Sequence, residues 1–151
     1  MRLWHKDLVP YLPKQQLLGQ WRECCLIVRN IAQKGAPNHI LVNPIMDYPG
    51  VHFDRYCALV IDTMKERGYK VDSSKVNFYF GGRRTLHRIK EIVPIESIFP
   101  GWHTPKYLTQ CLANLEEKHD RGGIPDDEWD YLLKSIGRKG VMNNDRRVVG
   151  S

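Results

Sequence analysis

Between Lys14 and Ala32 the apolar side chains recur at three- and four-residue steps: Leu17, Leu18, Trp21, Cys24, Cys25, Val28 and Ala32. That spacing is the signature of an amphipathic α-helix, and it commits the chain to burying one long helical face. At about 100° per residue, Gln15, Gln16, Arg22, Glu23, Arg29 and Asn30 fall on the other side, with Glu23 near the middle of the polar arc. Leu26 and Ile27 interrupt that arc.

Helical patterning continues downstream. Phe53, Cys57, Val60, Ile61 and Met64 form a stripe over residues 53–67, and Gly68 is a natural stop. Thr104-Pro105 reads as an N-cap followed by a first-turn proline. The helix it opens runs to about His119 with Leu108, Cys111, Leu112 and Leu115 inward, and Gly122-Gly123 end it. Pro125-Asp126-Asp127-Glu128 opens a short fourth helix with acids in its first turn and Trp129, Leu132, Leu133 and Ile136 as its apolar face. Residues 1–13 read as an irregular arm because Pro10 and Pro13 block regular pairing, and residues 33–52 as a loop. Residues 70–100 are the least legible: Val76–Phe80 fits a short strand, and Leu86–Ile92 a short helix. The expected fold is an all-α, compact single domain over residues 1–137, with three main helices, a short C-terminal helix and long irregular loops. A basic flexible tail is expected over residues 138–151.

The formal net charge of +6 suits a polyanionic partner without requiring one. No apolar run approaches the roughly 18 residues of a membrane span, and Met1–Asp7 lacks the apolar stretch of a signal peptide. A cytoplasmic, nucleoid-associated location is therefore expected, with no membrane partner. Cys24, Cys25, Cys57 and Cys111 show no ligand spacing, nor do the histidines, so no metal site is expected and the thiols read as buried core groups.

Two clusters carry candidate chemistry. Arg22-Glu23, one turn from Gln15, Gln16 and Gly19 and with Arg29 further along, is either a phosphate-binding catalytic wall or a solvated helix face. Phe78-Tyr79-Phe80-Gly81-Gly82-Arg83-Arg84 either stacks a base and holds phosphate, or is a core strand followed by a solvated turn. Trp129 fits a core stripe better than a DNA contact.

The stretch Gln15-Gln16-Leu17-Leu18-Gly19-Gln20-Trp21-Arg22-Glu23 resembles the first-helix motif of the phage pyrimidine-dimer DNA glycosylase/AP lyases. Met64-Lys65-Glu66-Arg67-Gly68-Tyr69-Lys70-Val71-Asp72 and the helix from Thr104-Pro105 to Ala113-Asn114-Leu115-Glu116-Glu117-Lys118 resemble later segments of that family, in the same order. The opening Met1-Arg2-Leu3-Trp4-His5 and the Gln-Trp-Arg-Glu-Cys-Cys string look closer to its bacterial branch.

The resemblance implies a cofactor-free reaction on damaged double-stranded DNA by a monomer. The N-terminal amine attacks C1′, displaces the base and forms an imine that permits β-elimination. An α-amine suits this role because the reference pKa of such groups is about 7.7–8.0, leaving a neutral fraction near pH 7. By the resemblance, Met1 supplies the amine and Glu23 is the essential carboxylate. Arg2 and Arg22 hold phosphates, Gln15 contacts DNA, Gln16 stands where the phage form has histidine, and Lys118 matches a basic residue of the third helix. Leu26 and Asn114 replace family arginines, and Arg29 is placed to compensate for the first. The bulk of Arg2 should keep Met1 in place. The loop Gly35–Tyr48 is this chain's own and is expected to shape the damage pocket. The alternatives are imine chemistry on another damaged or modified base, a non-catalytic basic DNA-binding module, or a protein-interaction domain.

Overall fold

The computed structural model describes the backbone of residues 1–144 and the side chains of residues 1–137. Among these residues the fold is all-α, with six helices and no strand. They are α1 (Lys14–Lys34), α2 (Gly50–Glu66), α3 (Ser73–Phe80), α4 (Arg83–Ile92), α5 (Pro105–Asp120) and α6 (Asp126–Asn144). The third main helix expected from Thr104-Pro105 is α5, and the Thr104 hydroxyl accepts from Tyr107 N at 3.2 Å, as an N-cap should.

The hydrophobic effect organises the chain around α2, which packs on α1, α4 and a 3₁₀ turn at Val9–Tyr11. Phe53, Tyr56, Cys57, Val60, Ile61 and Met64 are all buried, so α2 is enclosed on several sides. One end of α1 is set by Gly35, whose φ of 79° lies in the left-handed region and whose N–H reaches Ile31 O at 2.9 Å.

The structure corrects four expectations. Residues 76–80 are helix, not strand. The Asp72 side chain accepts from Ser74 N at 2.9 Å, which caps α3, and Val76 and Phe80 share its buried face one turn apart. The aromatic run Phe78-Tyr79-Phe80 favours strand only as a weak preference, and the cap together with packing on α1 overrides it. The fourth helix is not short, because α6 continues to Asn144. The tail expected from Arg138 therefore begins inside a helix, and its residues 145–151 lie outside the described residues. Finally, the stripe of α1 is rotated from the one expected. Gln20 and Ile27 are buried with Leu17 and Cys24, while Ala32 is exposed.

The arm is irregular as expected, yet it is part of the core. Leu3, Leu8 and Leu12 are essentially inaccessible. At its far end the Arg67 guanidinium donates to Leu12 O at 2.5 Å and to Pro10 O at 2.6 Å. One of these carbonyls belongs to Pro10 and the other to Leu12, and the planar fork of Arg67 spans both.

Candidate active site

The arm lies against α1 through one buried side chain, Gln20, which is 1% exposed. Gln20 Oε1 accepts from Trp4 N at 2.8 Å, and Gln20 Nε2 donates to Arg2 O at 2.9 Å. The Tyr56 hydroxyl of α2 lies 2.8 Å from Gln20 Oε1 and 2.6 Å from Trp4 O, so its single proton is shared between two acceptors. This amide thus pairs backbone groups of the arm much as a neighbouring strand would.

The same amide reaches Glu23, one turn along α1. Gln20 Nε2 donates to Glu23 Oε2 at 3.2 Å, and the peptide N–H joining Met1 to Arg2 donates to the same oxygen at 3.1 Å. Glu23 is half-buried, and its Oε1 has no protein partner among the described residues, nor is it sealed from solvent. A carboxylate is therefore fixed one residue from the chain's first amine, with one oxygen held and one open. Such an arrangement can stabilise positive charge or move protons beside that amine.

Below the arm sits an aromatic platform. The Tyr107 hydroxyl donates to Leu3 O at 2.6 Å, and Lys6 N donates to His103 Nδ1 at 2.9 Å. His5 stacks on His103 with ring centroids 5.1 Å apart. Burial holds His103 neutral, with His5 and Lys6 acting in the same sense, and its pKa falls to about 2. Burial also lowers the pKa of His5 to about 4, against the opposing charge of Asp7. Burial pushes the Tyr107 phenol well above its usual range. At neutral pH these rings are uncharged supports of the arm.

Met1 and Arg2 are half-buried, and the Arg2 guanidinium lies over the Trp4 ring, 5.5 Å from its centroid. Beside Arg2 opens a groove of about 560 Å³. Ile40 and Leu41 of the connection between α1 and α2 form one wall, with Tyr107, Gln110 and Asn114 of α5 opposite. Ile40 is 81% exposed and Leu41 44%, so this wall presents two apolar side chains to solvent. The connection from Gly35 to Tyr48 contributes Ile40, Leu41 and Pro44 to this groove.

The structure thus brings Met1, Arg2 and Glu23 together. Gln15, Arg22 and Arg29 are exposed on α1, and Gln16 is half-buried. Arg22 extends back over Gly19, whose lack of a side chain leaves it room. Lys118 is exposed on α5. Arg83 and Arg84 stand at the start of α4, and Arg83 lines a different hollow with Lys65. Of the neighbouring aromatics, Phe80 is buried against Trp21 whereas Phe78 is 82% exposed. Trp129 is buried, with His119 stacked on it at 5.2 Å. The four cysteines are buried and unpaired. Among the described residues no His, Cys, Asp or Glu side chains cluster as metal ligands, and no helix is long and apolar enough to cross a membrane.

Sequence reasoning missed Gln20, Tyr56, His103 and Tyr107 as parts of the site. For Gln20 a signal existed: Leu17, Gln20, Cys24 and Ile27 are spaced three, four and three residues apart, which puts an amide on a core stripe. A buried amide needs partners, and the adjacent arm was the available supply.

A comparison with known families adds to this geometry. The sequence profile described as pyrimidine dimer DNA glycosylase matches residues 1–77. That span holds the arm, α1, α2 and the start of α3, and with them Met1, Arg2, Gln20, Glu23 and Tyr56. Comparisons with curated proteins and with solved structures give no match. The profile covers just over half of the chain and all of the contacts that join the arm to Glu23, and the chain belongs to the pyrimidine dimer DNA glycosylase family.

Proposed function

We propose that this protein excises cyclobutane pyrimidine dimers from duplex DNA and cuts the strand at the resulting abasic site. The Met1 α-amine attacks C1′ of the damaged nucleotide, and the C1′–N bond to the base breaks with the electron pair leaving on the base. The amine loses a proton, the sugar ring opens, and a C1′ imine forms. Loss of a C2′ proton then expels the 3′ phosphate by β-elimination. Glu23, through its open Oε1, stabilises the cationic sugar and imine and carries protons between steps.

The single observation behind this reading is the hydrogen bond from the Met1–Arg2 peptide N–H to Glu23, which ties the carboxylate to the chain one peptide from the amine. Arg2, Arg22 and Arg29 supply phosphate contacts around it, with Gln15, Gln16 and Lys118 at the edges, and Arg83 and Arg84 belong to a second cationic region. C1′ is shielded within a stacked duplex, so a nucleotide must be extruded, and the groove beside Arg2 has room to receive it. Gln20 acts as a positioning residue for both reacting groups.

Borohydride trapping on UV-irradiated duplex, with undamaged DNA as control and the adduct mapped by mass spectrometry, tests the proposal. Protein whose N-terminal mass shows a free Met1 amine should give a damage-dependent adduct at that amine. Glu23→Gln should lose the elimination product. Absence of the adduct sinks the dimer assignment, and an adduct seen only on oxidised or alkylated duplex reassigns the lesion.

A further inference from the structure

A second site lies where α2, α3 and α4 meet. Two adjoining hollows of about 230 and 290 Å³ share Lys65, Val76 and Arg83. Their floor is apolar, with Ala58, Ile61 and Leu86 beside Val76. His87 stands on the rim of one hollow, and Ser73 and Asn77 add neutral polar groups to the other. Asp62 is the one acid lining either hollow, and Lys90 already holds it at 2.9 Å. Among the described residues neither Lys65 nor Arg83 has an acidic partner.

Both cations are solvent-exposed on one recess, where like charges without acidic partners raise the local positive potential. An anion seated between them offsets that potential and gains two charge-assisted contacts. A tetrahedral phosphate fits this set, with the Arg83 fork on two oxygens and Lys65 as a point charge on a third. Helix phase separates Arg83 from its sequence neighbour: Arg83, His87 and Lys90 line the recess, whereas Arg84 and Arg88 do not. The family profile ends at residue 77, so Arg83 and His87 lie beyond the matched part of the chain.

We propose that this recess binds a backbone phosphate of nucleic acid, gripping a strand away from the reacting sugar. The same chemistry would suit the phosphate of a small molecule, and the test separates the two. Affinity of the full chain for undamaged duplex is measured against salt, and amide NMR shifts are followed with inorganic phosphate as a second probe.

Arg83→Gln should flatten the plot of log K against log salt by about 0.9, the value of one phosphate contact. Adding Lys65→Gln should flatten it little further, because both cations serve one phosphate. Arg88→Gln removes the same charge from α4 outside the recess and should leave the slope as it was. Equal flattening by Arg88→Gln shows diffuse charge and overturns the site. An unchanged slope in Arg83→Gln overturns the nucleic-acid assignment, and phosphate-induced shifts at Lys65 and Arg83 would then identify a small-molecule site. None of these readouts needs the imine chemistry, so failure of trapping and failure of this recess are distinguishable.

Discussion

Replacing Gln20 by Leu tests whether the buried amide places the reacting groups. Leu nearly preserves volume, so the change removes hydrogen bonds while opening little void. Trp4 N–H is buried and loses its acceptor at 2.8 Å, which costs about 1–3 kcal/mol. Arg2 O is partly buried and loses its donor at 2.9 Å, for about 1 kcal/mol more. The expected loss is about 2–4 kcal/mol, read as a lowered urea midpoint with an unchanged slope. Glu23 also loses its tether at 3.2 Å while the arm it bonds loosens. A misplacement of about 1 Å costs on the order of 100-fold in rate. Borohydride trapping under single-turnover conditions and saturating DNA should therefore slow by about 10- to 100-fold, in protein shown to be folded by circular dichroism. Tyr56→Phe is the comparison, because it removes the shared hydroxyl and leaves the Gln20 contacts to Arg2, Trp4 and Glu23. It should cost about 1 kcal/mol and alter trapping by no more than a few-fold. If Gln20→Leu loses stability but traps at the wild-type rate, the amide is only structural. If Tyr56→Phe traps as slowly as Gln20→Leu, loss of packing rather than positioning explains the effect.

Other expectations follow from the same geometry. Stability should decline as pH falls below about 6.5, because unfolded histidines protonate there while buried His5 and His103 stay neutral until about 4 and about 2. Each contributes a slope of up to about 1.4 kcal/mol per pH unit. His103→Asn keeps an acceptor for Lys6 N–H and should flatten the decline in urea titrations from pH 7 to 4; an unchanged slope would exclude His103 as its source. Arg67→Lys cannot span Leu12 O and Pro10 O as a fork, and should cost about 1–3 kcal/mol by thermal or urea unfolding. Burial raises the Cys25 thiol to about 11 and pushes Cys57 and Cys111 up. All four thiols are also buried, and that burial should keep them from iodoacetamide at pH 8 until urea unfolds the chain; rapid labelling of native protein would contradict the packing.

The helices legible from sequence are those with long stripes and clear stops. The stripe from Phe53 to Met64 and the Thr104-Pro105 start identify α2 and α5 because burial and capping act locally there. The pair α3 and α4 was harder: each is only about two or three turns long, and aromatic residues in α3 mimic strand composition. Glu23 was legible as a carboxylate on a polar arc and through its motif. Its partner Gln20 was not: it belonged to neither the apolar stripe nor the polar arc, and the backbone groups that let it turn inward come from the arm. The arm was hidden for a related reason. Prolines forbid regular structure but do not forbid burial, and Leu3, Leu8 and Leu12 reach the core without it.

The tie between Leu3 and Tyr107 spans 104 residues, and that between Lys6 and His103 spans 97. A ribosome adding about 5–20 residues per second needs roughly 5–20 s to make that stretch. The residues of the arm therefore leave the ribosome well before their platform exists, and the arm is among the last parts assembled. An enzyme that removes a blocking group from Met1 has open access during that interval, and meets a half-buried residue afterwards. Under the proposed chemistry the amine is most open to processing while the chain is being synthesised, and slowing translation between α1 and α5 would lengthen that period.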